Sequence, residues 1–206
     1  MDSIIFDVDG TLWNSTEIIA KAWTDCVRKE YQLDMTITPE MLMSVFGQLL
    51  PDIAKKIFPR LSEDMQLEVI EACCDAEHRA LLKTCAPLYK NLEYVLKELS
   101  KSYPLYIVSN CQAGYIEVFL ESTGFGHYFS GHLCPGDTGM AKADNIRKIV
   151  ADNGLSDPVY VGDTDGDHNA CKKSGVPFIF AAYGFGQTEH PDYVIQEPED
   201  LLKLCL

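Results

Sequence analysis

The 206 residues carry 17 Lys and Arg against 31 Asp and Glu, a formal charge of −14, with 47% apolar and 23% charged side chains. That balance excludes collagen-like repeats, coiled coil and wholesale disorder. So acidic a chain, with no basic patch, repels nucleic-acid backbones and anionic lipid, and neither is an expected partner. Eight cysteines include adjacent Cys73 and Cys74 but no C-x-x-C zinc or redox spacing, and in a chain of this length they read as reduced thiols. No basic-then-apolar leader precedes Ile4, and no apolar run reaches the ~18 residues that a membrane helix needs. The expected location is the cytoplasm.

In chain order, residues 3–8 form the first short apolar run, followed at wide intervals by 105–108, 159–161, 177–181 and a weaker 193–195. Several are continuous rather than alternating, the pattern of strands covered on both faces of a parallel sheet. Between them, 91–102 places Leu92, Val95, Leu96 and Leu99 on one helical face, 113–123 places Ile116, Phe119 and Leu120, and 144–153 places Ile146, Ile149 and Val150. Strands alternating with helices predict an α/β fold with a Rossmann-like parallel sheet as its core.

The interval after the first strand is much longer than one crossover needs, and 17–83 reads as almost wholly helical. Ile19, Trp23, Cys26 and Val27 make one stripe. Thr38-Pro39-Glu40 is a helix start with proline at the first helical position, and Ser62 is placed to cap a helix carrying Met65, Val69, Ala72, Cys73, Ala76 and Ala80. The expected organisation is a catalytic core of 1–13 and 85–206 with a helical cap, 14–84, inserted after the first strand. The hinges are expected at 13–16 and 84–90.

The chemistry concentrates at strand ends. The first strand runs into Asp7-Val8-Asp9-Gly10-Thr11, and the 159–161 strand into Gly162-Asp163-Thr164-Asp165-Gly166-Asp167. Ligands of open α/β sheets bind beyond the carboxyl ends of strands. Two acidic strand ends in one parallel sheet would repel each other without a cation between them, and hard oxygen donors suit Mg²⁺. A lone Asp-Gly would be read as a turn; the recurrence makes it a site. Ser109-Asn110 closes the 105–108 strand with a hydroxyl and an amide, suited either to an oxyanion or to a helix cap. Lys142 stands just before a helix, where an isolated lysine would normally be a solvated charge.

Together these residues resemble the haloacid dehalogenase superfamily of hydrolases, whose four motifs occur here in order: Asp7-Val8-Asp9-Gly10-Thr11, Ser109-Asn110, Lys142, and Gly162-Asp163-Thr164 with Asp167. Val161-Gly162-Asp163-Thr164, Ala170, Gly175-Val176-Pro177 and Tyr183-Gly184-Phe185-Gly186 look most like the phosphoglycolate phosphatase branch. Two departures stand out: Cys111 where relatives often carry lysine, and Lys142-Ala143-Asp144-Asn145 where they often carry prolines. The aspartate at position 9 implies phosphate chemistry rather than dehalogenation.

The resemblance implies a Mg²⁺-dependent phosphatase acting on a small phosphorylated metabolite, with 2-phosphoglycolate the first candidate. In it Asp7 is the nucleophile, Asp9 the acid and base, and Lys142 a charge balance. Ser109 and Asn110 bind phosphoryl oxygens. The side chains of Asp7 and Asp163 and the backbone carbonyl of Asp9 hold the metal, and Asp167 supports from behind. The alternatives are a β-phosphoglucomutase-like sugar phosphomutase and a binding or regulatory protein that keeps the fold without turnover. The five histidines lack zinc spacing; Cys111 reads as packing; Trp13, Trp23 and Phe46 are either core or pocket; Gly47-Gln48 marks a turn that could face the site.

Overall fold

Continuous apolar runs bury on both faces, and the computed structural model, which describes residues 1–206, shows them doing so. Strands β1 (Ser3–Phe6), β2 (Leu105–Val108) and β4 (Pro158–Gly162) are buried at every residue. With β3 (Phe129–Leu133), β5 (Phe178–Ala181) and β6 (Tyr193–Ile195) they form one six-stranded sheet in the order β3-β2-β1-β4-β5-β6, every pairing parallel. The chain leaves β1 in one direction to β2 and β3 and returns to its other side for β4. The crevice between β1 and β4 is therefore the topological switch point, where ligands of such sheets bind. Register aligns the strand ends: Phe6 pairs with Val161 and with Ile107, so Asp7 lies level with Gly162 and Val108, the last residues of β4 and β2, and Asp163 and Ser109 follow one residue on.

Five helices lie between β1 and β2, and the first four form the long helical stretch: α1 (Thr16–Glu30), α2 (Pro39–Met43), α3 (Leu50–Ile57) and α4 (Glu63–Lys83). Their starts follow local chemistry. The Thr38 side chain accepts from Met41 N ahead of Pro39, and the Ser62 hydroxyl accepts from Met65 N. After them come α5 (Leu92–Leu99), α6 (Tyr115–Thr123), a 3₁₀ turn (Phe125–Tyr128), α7 (Pro135–Thr138), α8 (Lys142–Asp152), α9 (Asp165–Ser174) and α10 (Asp200–Cys205). None is long and apolar enough to cross a membrane.

One hydrophobic cluster of 41 buried residues runs from Ile4 and Phe6 through Phe119 of α6 into Trp23, Ile53 and Val69, so the inserted helices share a core with one face of the sheet. A second cluster, built on Ile5, Tyr160 and Phe178, fills the other face beneath α8 and α9. The connections into and out of the inserted helices run side by side. Trp13 bridges Leu88 in antiparallel sense, and Asn14 N donates to Pro87 O at 2.9 Å.

Four local expectations are corrected. The first strand ends at Phe6 rather than residue 8, although the Asp7 N–H still donates to Val161 O of β4 at 2.9 Å. Lys142 opens α8 instead of preceding it. The strand β3 was not foreseen, because Phe-Ser-Gly-His-Leu is a polar edge sequence with one apolar residue at each end. The buried face of α4 is Gln66, Val69, Ile70, Cys73, Cys74, Glu77 and Leu81. Met65 is exposed, and a glutamate stands where the apolar stripe was expected to continue.

Candidate active site

The site is built at the carboxyl edge of β1, β2 and β4. Asp7 follows β1, Ser109 and Asn110 follow β2, and Asp163 follows β4; Asp167 comes from the first turn of α9 and Lys142 from the first residue of α8. Asp7, Ser109, Lys142, Asp163 and Asp167 are all buried. Lys142 Nζ donates to Asp7 Oδ1 at 2.8 Å and to Asp167 Oδ1 at 2.5 Å. Far from a solvated charge, it is the buried tie between the end of β1 and the first turn of α9.

Asp167 has no free valence. Its Oδ2 accepts from Thr164 N at 3.0 Å and from the Thr164 hydroxyl at 2.7 Å, closing a capping box at the start of α9. Asp7 and Asp163 remain open. Asp163 Oδ2 accepts from Phe185 N at 2.7 Å, while Oδ1 is buried without any partner.

Carboxylate oxygens of Asp7, Asp163 and Asp167 lie within 4.8 Å of one another. When ionised, the three carboxylates and Lys142 together carry two excess negative charges, which a divalent cation would cancel. Burial, together with the neighbouring carboxylates, pushes Asp163 well above the usual carboxylate range, and burial raises Asp7 although Lys142 opposes it. Burial alone would lower Lys142, but Asp167 and Asp7 reverse that and hold it above an ordinary lysine. The orphaned Asp163 oxygen, the hard donor set and the excess negative charge fit a divalent metal held by Asp7 and Asp163. The backbone carbonyl of Asp9 accepts no backbone hydrogen bond, which leaves it open as a third ligand.

Two glycines make this approach possible. At Gly10, with φ of +82°, a Cβ would lie 2.1 Å from Asp163 Oδ2. At Gly184 it would lie 2.3 Å from Asp163 Cβ and 2.4 Å from Gly10 O. The Tyr183-Gly184-Phe185-Gly186 turn, noticed in the sequence only as a likeness, wraps Asp163 and supplies the Phe185 N–H.

Asp9 points the other way, into a cavity beneath the inserted helices. Its Oδ1 accepts from the hydroxyls of Ser15 and of Tyr115, the latter at 2.9 Å. Burial raises its carboxyl to about 7, against those two donors. Neither Ser15 nor Tyr115 stands out in the sequence. The cavity, about 40 Å³, is floored by Asp7, Asp9, Ser109 and Asn110 and roofed by Trp23, Phe46, Gly47 and Gln48. At ~10–15 Å³ for one water, that is room for about three waters.

Gly47 O accepts from Asn110 Nδ2 at 2.8 Å, joining roof to floor, and Asn110 Oδ1 is buried without a partner. Trp13 packs edge-on to Phe119 and Tyr115 and does not line the cavity. Cys111 lines it, and burial holds its thiol well above the ordinary range, so little thiolate forms. His168 is buried, stacked on Phe178 and bonded to Thr188.

An acidic, lysine-tied site at the switch point of a parallel sheet defines a class. Residues 4–181 match the family described as haloacid dehalogenase-like hydrolase, and the chain belongs to it. It is 27% identical over 215 residues to the phosphoglycolate phosphatase of Aquifex aeolicus, covering 99% of this chain and 96% of that protein. It is 26% identical over 213 residues to pyrophosphatase PpaX of Anoxybacillus flavithermus, with the same coverage. Among solved structures, a haloacid dehalogenase-like hydrolase from Streptococcus pneumoniae aligns with a TM-score of 0.86 at 24% identity, over 100% of this chain and 99% of that one. At that identity the likeness speaks for the fold.

Proposed function

We propose that the protein is a Mg²⁺-dependent phosphatase of small phosphate monoesters, working through a phosphorylated Asp7. The observation that carries this reading is the pairing at one strand end of two aspartates in different surroundings. Asp7 is tied to Lys142 and faces Asp163; Asp9 is held by Ser15 and Tyr115 inside the cavity.

Asp7, whose Oδ2 is not engaged by Lys142, attacks phosphorus and displaces the ester oxygen. Asp9, protonated at first, gives its proton to the departing alkoxide so that a neutral alcohol leaves. It then takes a proton from the water that cleaves the acyl phosphate, and inorganic phosphate is released. Lys142 offsets charge on Asp7 and on the transferring group, while Ser109 and Asn110 bind phosphoryl oxygens. Asp167, engaged on both oxygens, positions Lys142. When bound by Asp7, Asp163 and the Asp9 carbonyl, Mg²⁺ screens the anionic nucleophile from the anionic phosphate.

Residues 14–84 act as a cap over a core of 1–13 and 85–206. The paired connections at Trp13 and Leu88 serve as the hinge, and the Asn110–Gly47 hydrogen bond reports closure over the site. A closed roof favours small metabolites over phosphoproteins, and 2-phosphoglycolate, the substrate named for the Aquifex relative, was the first candidate from sequence. The phosphomutase reading and the non-catalytic reading make different demands: a mutase must protect its phosphoenzyme from water, and a pure phosphoacceptor has no use for the acid at Asp9.

The test is a panel of small phosphate esters with purified protein and Mg²⁺, with alcohol and inorganic phosphate both followed. Equal, sustained release of the two, abolished by EDTA and restored by Mg²⁺, is expected. Alcohol released only in a single burst, or full activity in metal-free buffer, would overturn the reading.

A further inference from the structure

The cavity roof contains a buried carboxylate that the chemistry above does not use. Glu77, in the middle of α4, is only 3% exposed and lines the same cavity as Asp7 and Asp9. Its Oε2 accepts from Trp23 Nε1 at 2.6 Å and its Oε1 accepts from Gln112 Nε2. Both donors are neutral, so the carboxylate is oriented but its charge has no counter-charge.

No lysine, arginine or histidine lines the cavity. Lys142 lies beneath Asp7 and is engaged by two aspartates. Lys56, the cation on the roof, is bonded to Gln48 Oε1 at 2.6 Å in an exposed pair. His78 Nε2 sits 3.0 Å from Gln112 Nε2, and burial lowers its pKa, which keeps it neutral. Burial pushes Glu77 up to about 8, although Gln112 and Trp23 favour its anion. A buried carboxylate is normally paired, and here the missing partner is a cation. Three aromatic side chains, Trp23, Phe46 and Tyr115, line the same cavity, and the face of an aromatic ring attracts an ammonium group.

We propose that Glu77 is the specificity-determining residue of the site and receives an ammonium group at the far end of the leaving alcohol, so that the substrate class is an aminoalkyl phosphate. This rests on the phosphatase reading and narrows it. Phosphate goes to the floor, where Lys142, Ser109 and Asn110 lie, and the amine goes to the roof. Substrates whose leaving group is itself anionic, phosphoglycolate and pyrophosphate among them, bring no cation to draw out the Glu77 anion, whose carboxyl stands at about 8 without one, and add negative charge to a cavity already lined by Asp7 and Asp9, so they are disfavoured.

The experiment compares ethanolamine phosphate, 2-phosphoglycolate and pyrophosphate, each with Mg²⁺. It uses wild-type protein and Glu77→Gln, which keeps the shape and an acceptor for Trp23. Turnover is read as kcat/KM. Binding of the two esters is read separately, by calorimetry on Asp7→Asn protein with and without Glu77→Gln. Wild type is expected to favour ethanolamine phosphate by at least about tenfold in both readouts, and Glu77→Gln to shrink that ratio to about threefold or less, tenfold being the scale of one modest charge contact.

Equal or better handling of phosphoglycolate or pyrophosphate by wild type overturns the proposal, as does a ratio that Glu77→Gln leaves unchanged. Should the variant fail to fold, the wild-type ratios decide. Absence of turnover on every ester would sink the phosphatase reading, while the binding ratio would still judge Glu77.

Discussion

Asp9 and Asp7 are two residues apart, yet their surroundings assign them different work. Asp9 has no cation beside it, and burial raises its carboxyl to about 7 against the hydroxyl donors of Ser15 and Tyr115, the setting of a carboxyl that can carry a proton. Asp9→Asn should slow transfer from alkyl phosphates by roughly 10²–10⁴-fold and spare nitrophenyl phosphate, whose leaving group departs unprotonated. Rapid-mixing measurement of the first turnover checks this, and equal losses on both esters would remove the acid role.

Glu77 can be followed through stability as well as specificity. Its carboxyl is raised from 4.5 to about 8 in the folded chain, so the folded state holds a proton that the unfolded state has lost between those values. That contribution to stability is fully present below pH 4.5 and lost as pH rises through 8, with a slope of up to about 1.4 kcal/mol per pH unit. Denaturant titrations of wild type and Glu77→Gln across pH 5–8 should diverge, wild type weakening relative to the variant as pH rises. Parallel curves would mean that Glu77 is already ionised.

At the scale of elements, α9 is started by a capping box whose acid is also the partner of Lys142. Thr164→Ala removes the side-chain cap and the hydroxyl bond to Asp167 while leaving the backbone one, so it should cost about 1 kcal/mol, or about 2–4 °C in thermal midpoint, together with a fall in kcat. A thermal scan and an assay on the same sample check both; an unchanged kcat would show that Asp167 holds Lys142 without the box.

The same elements show what the sequence could and could not convey. Strands β1, β2 and β4 were legible because burial on both faces leaves an uninterrupted apolar run, and the acids because they follow the ends of β1 and β4; Lys142, at the start of α8, was legible only through the order of the family motifs. The strand β3 was not, since an edge strand needs apolar residues on few positions and Ser130, Gly131 and His132 occupy the rest. Ser15, just ahead of α1, reaches Asp9, while Tyr115 of α6 and Glu77 of α4 line the cavity, and no local spacing records that convergence. Glu77 did leave one trace: it lies four residues after Cys73 and four before Leu81, inside a buried stripe, where an acid is rarely placed without a partner.

For the whole molecule, the sheet order brings β1 and β4 together, and the long excursion from β1 to β2 lays four helices over the crevice between them. A net charge of −14 does not favour anionic substrates, so on the proposed reading phosphate would be drawn by local features: Lys142, the donors after β2, and a divalent cation held by Asp7 and Asp163. Every part of that arrangement converges on one atom group, the carboxylate of Asp7. Rapid quenching of wild-type protein during turnover of a small phosphate ester with Mg²⁺, followed by peptide mass spectrometry, tests it most directly. One phosphoryl group is expected on the peptide containing Asp7, absent in Asp7→Asn, with turnover lost in that variant. Continued ester hydrolysis by Asp7→Asn, or steady turnover of wild type with the phosphoryl group on another residue, would contradict the account.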